Sequence, residues 1–168
     1  MTEAETQAYR FDDDGRFPNS PLPLVVYHQV IPRGEASPEA FEALLAENGW
    51  PPRWRYTVYG FHHYHSTSHE ALGVARGSAD ILFGGPGGET VSVTMGDAVT
   101  IPAGVAHCLI AGSADFLVVG VYPPEMDADL LRGEDGERPD ADARIAALPL
   151  PRTDPFTGET EGIVRRWR

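Results

Sequence analysis

The chain has no lysine: all thirteen basic residues among its 168 are arginine. Chemistry that runs through a lysine Schiff base or a lysine general base is excluded, because the amine is absent. Cysteine is nearly absent as well. Cys108 stands alone, so no intrachain disulfide can form and the fold must rest on its core. No run reaches the roughly 18 apolar residues that span a bilayer, and the opening MTEAETQAYRFDDDG lacks both the basic and the apolar stretch of a secretory signal. These absences predict a soluble, cytoplasmic protein with no membrane partner. Positive charge is scarce too. With 13 basic against 25 acidic residues the net charge is −12, which repels a phosphate backbone and predicts no nucleic-acid partner.

Turn residues, by contrast, are plentiful. Eighteen glycines and fifteen prolines favour short strands over long helices. Residues 1–20 are polar and acidic and read as an N-terminal arm. A barrel is expected over 21–123, followed by an extension over 124–168 that packs on it. Residues 22–31 (LPLVVYHQVI) form a β-branched apolar run, read as a strand. Ser37 as cap, Pro38 at the first position, Phe41, Leu44 and Leu45 on one face and Asn48-Gly49 at the end predict one short helix over 38–48. Seven short strands are then expected, over 54–65, 70–76, 78–84, 90–95, 97–101, 105–111 and 115–122, an antiparallel sandwich or barrel. The stretch 125–142 carries eight acids against Arg132 and Arg138 and reads as a solvated loop or short helix.

Histidine is unevenly distributed: four of six fall at His62, His63, His65 and His69. On a strand, residues at i and i+2 share a face, so His63 and His65 point together, and Glu70 opens the next strand. The run GDAVTIPAGVAH turns tightly at Pro102 to Gly104 and delivers His107. Imidazole and carboxylate together suit Fe, Mn, Ni, Co, Cu or Zn. Strand parity places Thr57, Tyr59 and Phe61 with His63, Leu72 and Val74 with Glu70, and Leu109 with His107, a mostly apolar lining with Tyr59 as hydrogen-bond donor. Arg55 and Arg76 share the inward parity near strand ends, where each either meets an anionic substrate or forms a surface ion pair. The run 84–88 (GGPGG) lacks the lysine and helix of a phosphate loop and reads as a hairpin connection.

The spacing His63-x-His65-x4-Glu70-x6-Gly77 resembles the first cupin motif, and Gly96-x5-Pro102-x-Gly104-x2-His107 resembles the second. More narrowly, HHYHSTSHEALGVARGSADILFGG and PLPRTDPFTG resemble the YjlB-like small bacterial cupins. Two positions depart from the pattern: Gly60 is shifted relative to the first motif, and Ala111 replaces the usual closing asparagine of the second. The resemblance implies an all-β, double-stranded β-helix (jelly-roll) barrel with one short helix and extended terminal arms. It implies one divalent transition metal bound by His63, His65, Glu70 and His107. A bulge would let His69 take the place of Glu70, whereas His62 has the opposite parity. Two readings of function follow. One is a metalloenzyme acting on a small oxygenated molecule, by dioxygenation first and by isomerisation or decarboxylation otherwise, with Glu70 and Tyr59 as catalytic candidates. The other is a non-catalytic module that holds metal or a small ligand for sensing, storage or structure. A homodimer is expected, formed through the strand over 24–31.

Overall fold

A computed structural model describes residues 4–168. Nine strands and three helices follow in order: β1 (Glu5–Phe11), β2 (Ser20–His28), α1 (Pro38–Glu47), β3 (Pro52–Tyr56), β4 (Glu70–Arg76), β5 (Ser78–Phe83), β6 (Glu89–Thr94), β7 (Ala98–Ile101), β8 (His107–Gly112), β9 (Leu117–Val121), α2 (Asp140–Ala147) and α3 (Ile163–Arg166). They build two antiparallel sheets, one ordered β1-β2-β7-β4-β9-β3 and one ordered β6-β5-β8. The all-β jelly-roll expectation holds. Among the described residues no helix is long and apolar enough to cross a membrane.

Alternation explains how the six-stranded sheet serves two cores. Its inner face, with Leu24, Val26, Leu72, Val74, Val99, Ile101 and Val118, packs on Ile81, Phe83, Val91 and Val93 of the small sheet. Its outer face, with Val25, Tyr27, Ala71, Ala98, Val119 and Val121, lies under Phe41 and Leu45 of α1 and under Phe156, Ile163 and Trp167 of the C-terminal segment. Strands buried on both faces carry near-continuous apolar runs, as VVY does here and as AVTI does apart from Thr100, whose hydroxyl meets that of Tyr27 at 3.2 Å. Helix α1 begins where Ser37 Oγ accepts the Ala40 N–H at 3.0 Å and ends at Gly49, whose φ of 83° suits glycine. The C-terminal segment is fastened by Asp154. This fully buried carboxylate accepts the N–H groups of Phe156 (2.7 Å), Thr157 (2.9 Å) and Ile163 (2.8 Å) and the Tyr27 hydroxyl.

Three expectations need correction. The first concerns 54–65, which is not one strand. β3 ends at Tyr56 because its ladder partner is β9, whereas His63 bridges His107 in the other sheet. The chain crosses between sheets over 57–62 and cannot stay in one ladder. Second, residues 5–11 of the arm form a strand on β2, Glu5 opposite His28 and Phe11 opposite Ser20. With β1 on one side and β7 on the other, β2 offers no free edge, so a second copy cannot pair there. Third, the acidic stretch does pass from loop into a short helix, α2 from Asp140, but it is not all solvated, since Tyr64 and Leu131 exchange backbone hydrogen bonds of 2.9 and 3.0 Å.

Candidate metal centre

The crossing segment makes the site. His63 and His107 face each other across a narrow bridge, with N–H to O distances of 3.1 and 2.9 Å, so their rings stand side by side at 4.0 Å. His65, two residues on, turns the same way, and Glu70 heads β4 on the inner face above Leu72. The donor nitrogens of His63, His65 and His107 all lie within 4.8 Å of one another. Glu70 Oε2 stands 3.3 Å from His65 Nε2, and Oε1 stands 3.3 Å from His107 Nε2. All four side chains are buried.

Backbone carbonyls fix how each ring is presented. His63 Nδ1–H donates to the Phe61 carbonyl at 2.9 Å, His107 Nδ1–H to that of Val105 at 3.0 Å, and His65 Nδ1–H to that of Asp129. These partners assign the proton to Nδ1 and leave the Nε2 lone pairs facing inward. The Nε2 atoms of His65 and His107 are buried without a hydrogen bond. Acceptor nitrogens therefore face acceptor oxygens of Glu70, an arrangement relieved only by a proton or a cation between them. The donor set thus fits a divalent transition metal.

Electrostatics agree. Burial, and then the neighbouring His107, pull the pKa of His63 down to about 3. For His65 burial acts downward too, but the Glu70 charge and the Asp129 carbonyl outweigh it and the net direction is up. Burial alone would raise Glu70, yet His65 and His107 hold it below the usual carboxylate range. The centre keeps a carboxylate charged in its interior, ready to balance a cation.

The four residues anticipated from spacing come together; several others do not. His69 is not part of the group. As the residue before Glu70 it faces the other way, its Nδ1 accepts the Ala103 N–H at 2.9 Å, and its ring lies 4.8 Å from that of Trp167. It pins the turn ahead of His107. His62 packs beside Phe17 at 5.8 Å. Tyr59 is 42% exposed at the rim, its ring 5.3 Å from that of His63.

Above the histidines opens a cavity of about 410 Å³, lined by Trp54, Thr57, Val58, Tyr59, Leu72, Tyr122 and Leu130 among others. Of the residues assigned to its wall by parity, Thr57, Tyr59 and Leu72 do line it, while Phe61, Val74 and Leu109 do not. Phe61 is turned away under the Arg132 guanidinium, 3.9 Å from its ring, because 57–62 is not a strand and does not alternate. Arg55 lines the cavity, but its guanidinium is bound to Glu42 at 2.9 and 2.6 Å. Arg76 is exposed at the end of β4, outside the lining.

Sequence reasoning missed Asp129 and Tyr122. The Asp129 carboxylate accepts Ser66 N–H at 2.6 Å, Ser66 Oγ–H at 2.5 Å and Thr67 N–H at 3.3 Å, which seats its carbonyl on His65. No local pattern marks it, since its partners lie more than sixty residues earlier. Tyr122 could have been found: Val118, Gly120 and Tyr122 continue one parity. Burial and the Glu70 charge raise its phenol pKa.

Two antiparallel sheets enclosing three inward histidines and a carboxylate define a small cupin. The chain belongs to the YjlB family of such proteins, being 42% identical over 166 residues to the uncharacterized protein YjlB of Bacillus subtilis (strain 168), with 98% of each chain covered. No family model matches the chain. Among solved structures it is similar to a DUF861 family protein from Thermotoga maritima, at 24% identity over 49% of this chain and 88% of that one, with a TM-score of 0.33. It is also similar to a cupin 2 domain-containing protein from Halorhodospira halophila, at 16% identity over 86% of this chain and 77% of that one, with a TM-score of 0.34.

Proposed function

We propose that the protein is a metal-dependent cupin enzyme acting on a small oxygenated organic molecule, with dioxygenation as the reaction type. His63, His65 and His107 would hold one divalent transition metal through Nε2, with Glu70 as the fourth donor. The carrying observation is that three Nε2 atoms with carbonyl-fixed tautomers converge at the base of an open, largely apolar cavity. Such a metal supplies Lewis acidity and, for iron, reactivity toward dioxygen. The chain's own residues do the rest. The carbonyls of Phe61, Val105 and Asp129 orient the rings. Val58, Leu72 and Leu130 keep water from the bound molecule, and Tyr59 offers a hydroxyl at the entrance. Glu70 balances the charge and can accept a proton when not bound.

Elemental analysis of protein purified without chelator or added metal tests this reading, followed by oxygen uptake with small phenols, thiols and keto acids. Near-stoichiometric iron and substrate-dependent uptake are expected. Alanine at His63, His65 or His107 should remove the metal, and unchanged metal content in these variants would overturn the ligand assignment. Zinc or nickel without uptake would overturn dioxygenation. For the assembly we propose a homodimer through β1, one of the two edge strands of the six-stranded sheet; a monomer mass by light scattering would refute it.

A further inference from the structure

Gly120 interrupts the run Leu117-Val118-Val119-Gly120-Val121-Tyr122 with the one residue that has no side chain to pack. It stands between Trp54 of β3 and Leu72 of β4 in the sheet. A Cβ at Gly120 would come within 2.1 Å of Trp54 Cζ2 and 2.2 Å of Cε2. Glycine weakens a strand interior; here the vacated place seats an indole in the wall of the cavity that holds the histidines. The Trp54 Nε1–H donates to the Tyr122 hydroxyl at 3.0 Å. That bond occupies a lone pair of the phenol oxygen and leaves its O–H proton to donate elsewhere. Tyr122 also lines the cavity, its ring 6.4 Å from that of His65.

Charge narrows the occupant, and size admits it. Arg55 is the one guanidinium among the described lining residues, and it is held by Glu42 and Glu39. Nearby Arg53 lies over the Tyr122 ring and is paired with Asp127. No uncommitted cation remains among the described lining residues to balance a phosphate or a second carboxylate. At about 410 Å³, the cavity falls toward the small end of the roughly 300–1,000 Å³ typical of organic-ligand sites and admits a substituted ring.

We propose that Trp54, Gly120 and Tyr122 form a subsite for the ring of a monocyclic phenol-type ligand, with the Tyr122 O–H donating to a ligand oxygen that also faces the three histidines. The second contact of that oxygen rests on the metal-centre reading; the ring subsite does not. Aromatic surface on aromatic surface and one hydrogen bond set the specificity.

Isothermal titration calorimetry with catechol on the protein as purified, its metal content measured, tests the proposal. One catechol per chain is expected. Trp54→Leu and Tyr122→Phe should each weaken it about three- to tenfold, the size of one aromatic pair or one hydrogen bond, with metal content unchanged. Tyr122→Phe deletes a single oxygen and keeps the ring, removing the bond to the ligand together with the acceptor of Trp54 Nε1–H, so urea unfolding of the variant is measured beside the titration to separate lost binding from lost stability. Acetohydroxamate, a chelator without a ring, should bind Trp54→Leu within twofold of wild type. Catechol affinity unchanged in either variant overturns the subsite. If purified protein carries no metal yet binds catechol in a manner that depends on Trp54 and Tyr122, the subsite stands and the metal reading falls. If metal-bearing protein takes acetohydroxamate but not catechol, the metal reading stands and the subsite falls.

Discussion

Replacing Asp129 by alanine loosens the fastening between the C-terminal extension and the metal centre. The carboxylate accepts two hydrogen bonds from Ser66 and a longer one from Thr67, with Arg144 Nη2 at 4.0 Å. Ser66 is fully buried, whereas the Asp129 side chain keeps 27% of its exposure. Hydrogen bonds to a charged acceptor contribute about 1.5–3 kcal/mol each. One of the three is long and the acceptor is partly solvated, so the loss to stability is set at about 2–4 kcal/mol. In the variant the Asp129 carbonyl is seated against His65 only by the Asp129 N–H bond to Thr67 Oγ1 (2.9 Å) and the nearby Tyr64–Leu131 backbone pair; losing outer support of this kind typically weakens metal binding about 10–100-fold, and with part of it kept the lower end, about tenfold, is expected. Competition of metal-loaded protein against a chromophoric chelator reads the affinity, and urea unfolding of metal-free protein reads the stability. Asp129→Asn keeps an accepting oxygen and should lose less of both. Burial alone would raise the Asp129 pKa, but the Ser66 and Thr67 donors outweigh it and hold it low. Its stabilisation is therefore complete above the ordinary carboxylate range, near pH 4, and is lost only as pH falls through the lower folded value; the variant's deficit should be constant between about pH 5 and 8. Metal affinity within twofold of wild type in Asp129→Ala would refute the reasoning, showing that the backbone bonds and packing hold His65 without the carboxylate.

Other sites give independent checks. Asp154→Ala leaves the buried N–H groups of Phe156 and Ile163 and the part-buried one of Thr157 without an acceptor and leaves the Tyr27 hydroxyl with Thr100 alone; it should cost about 3–5 kcal/mol, with faster tryptic cleavage after Arg152, and an unchanged cleavage rate would show that the carboxylate does not fasten the segment. Gly73→Ala puts a methyl 2.3 Å from Phe41 Cδ1, an overpacking of about 1–3 kcal/mol. Adding Phe41→Leu should recover part of the thermal stability, and strict additivity would place the clash elsewhere. Arg138 hydrogen-bonds Asp13 and Asp142 and brings the Asp13 carboxyl down to about 2. On an exposed face this is worth about 1 kcal/mol at neutral pH. A lowered carboxylate stabilises above its unfolded value of 3.8 and ceases to as pH falls toward 2, so urea midpoints of wild type and Arg138→Ala should converge there.

The four-residue constellation was legible because each step that builds it is local. Period-two alternation aligns His63 with His65, a short Ser-Thr-Ser connection brings up Glu70, and the Pro102–Gly104 turn returns the chain at His107. Sequence also reached α1 through its cap and apolar face, and the strands from β4 to β9 through their glycine turns. Parity failed where the regular strand failed. From Thr57 to His62 the chain changes sheets, so Phe61 leaves the wall while Val58 joins it. His69 was the other open point; β4 is regular at Glu70, and the His69 ring faces away from the three histidines toward Trp167.

Composition and spacing by themselves determined the class: a lysine-free, acidic, turn-rich β chain with imidazole and carboxylate donors at cupin intervals. Only tertiary structure decided what surrounds those donors. The carbonyl that fixes His65 comes from Asp129, 64 residues later, and the Tyr122 hydroxyl is oriented by Trp54, 68 residues earlier. Such pairings depend on where two sheets and a returning tail place remote backbone. The periodicity of any one segment records which face a side chain takes, and carries no record of what will be packed against it.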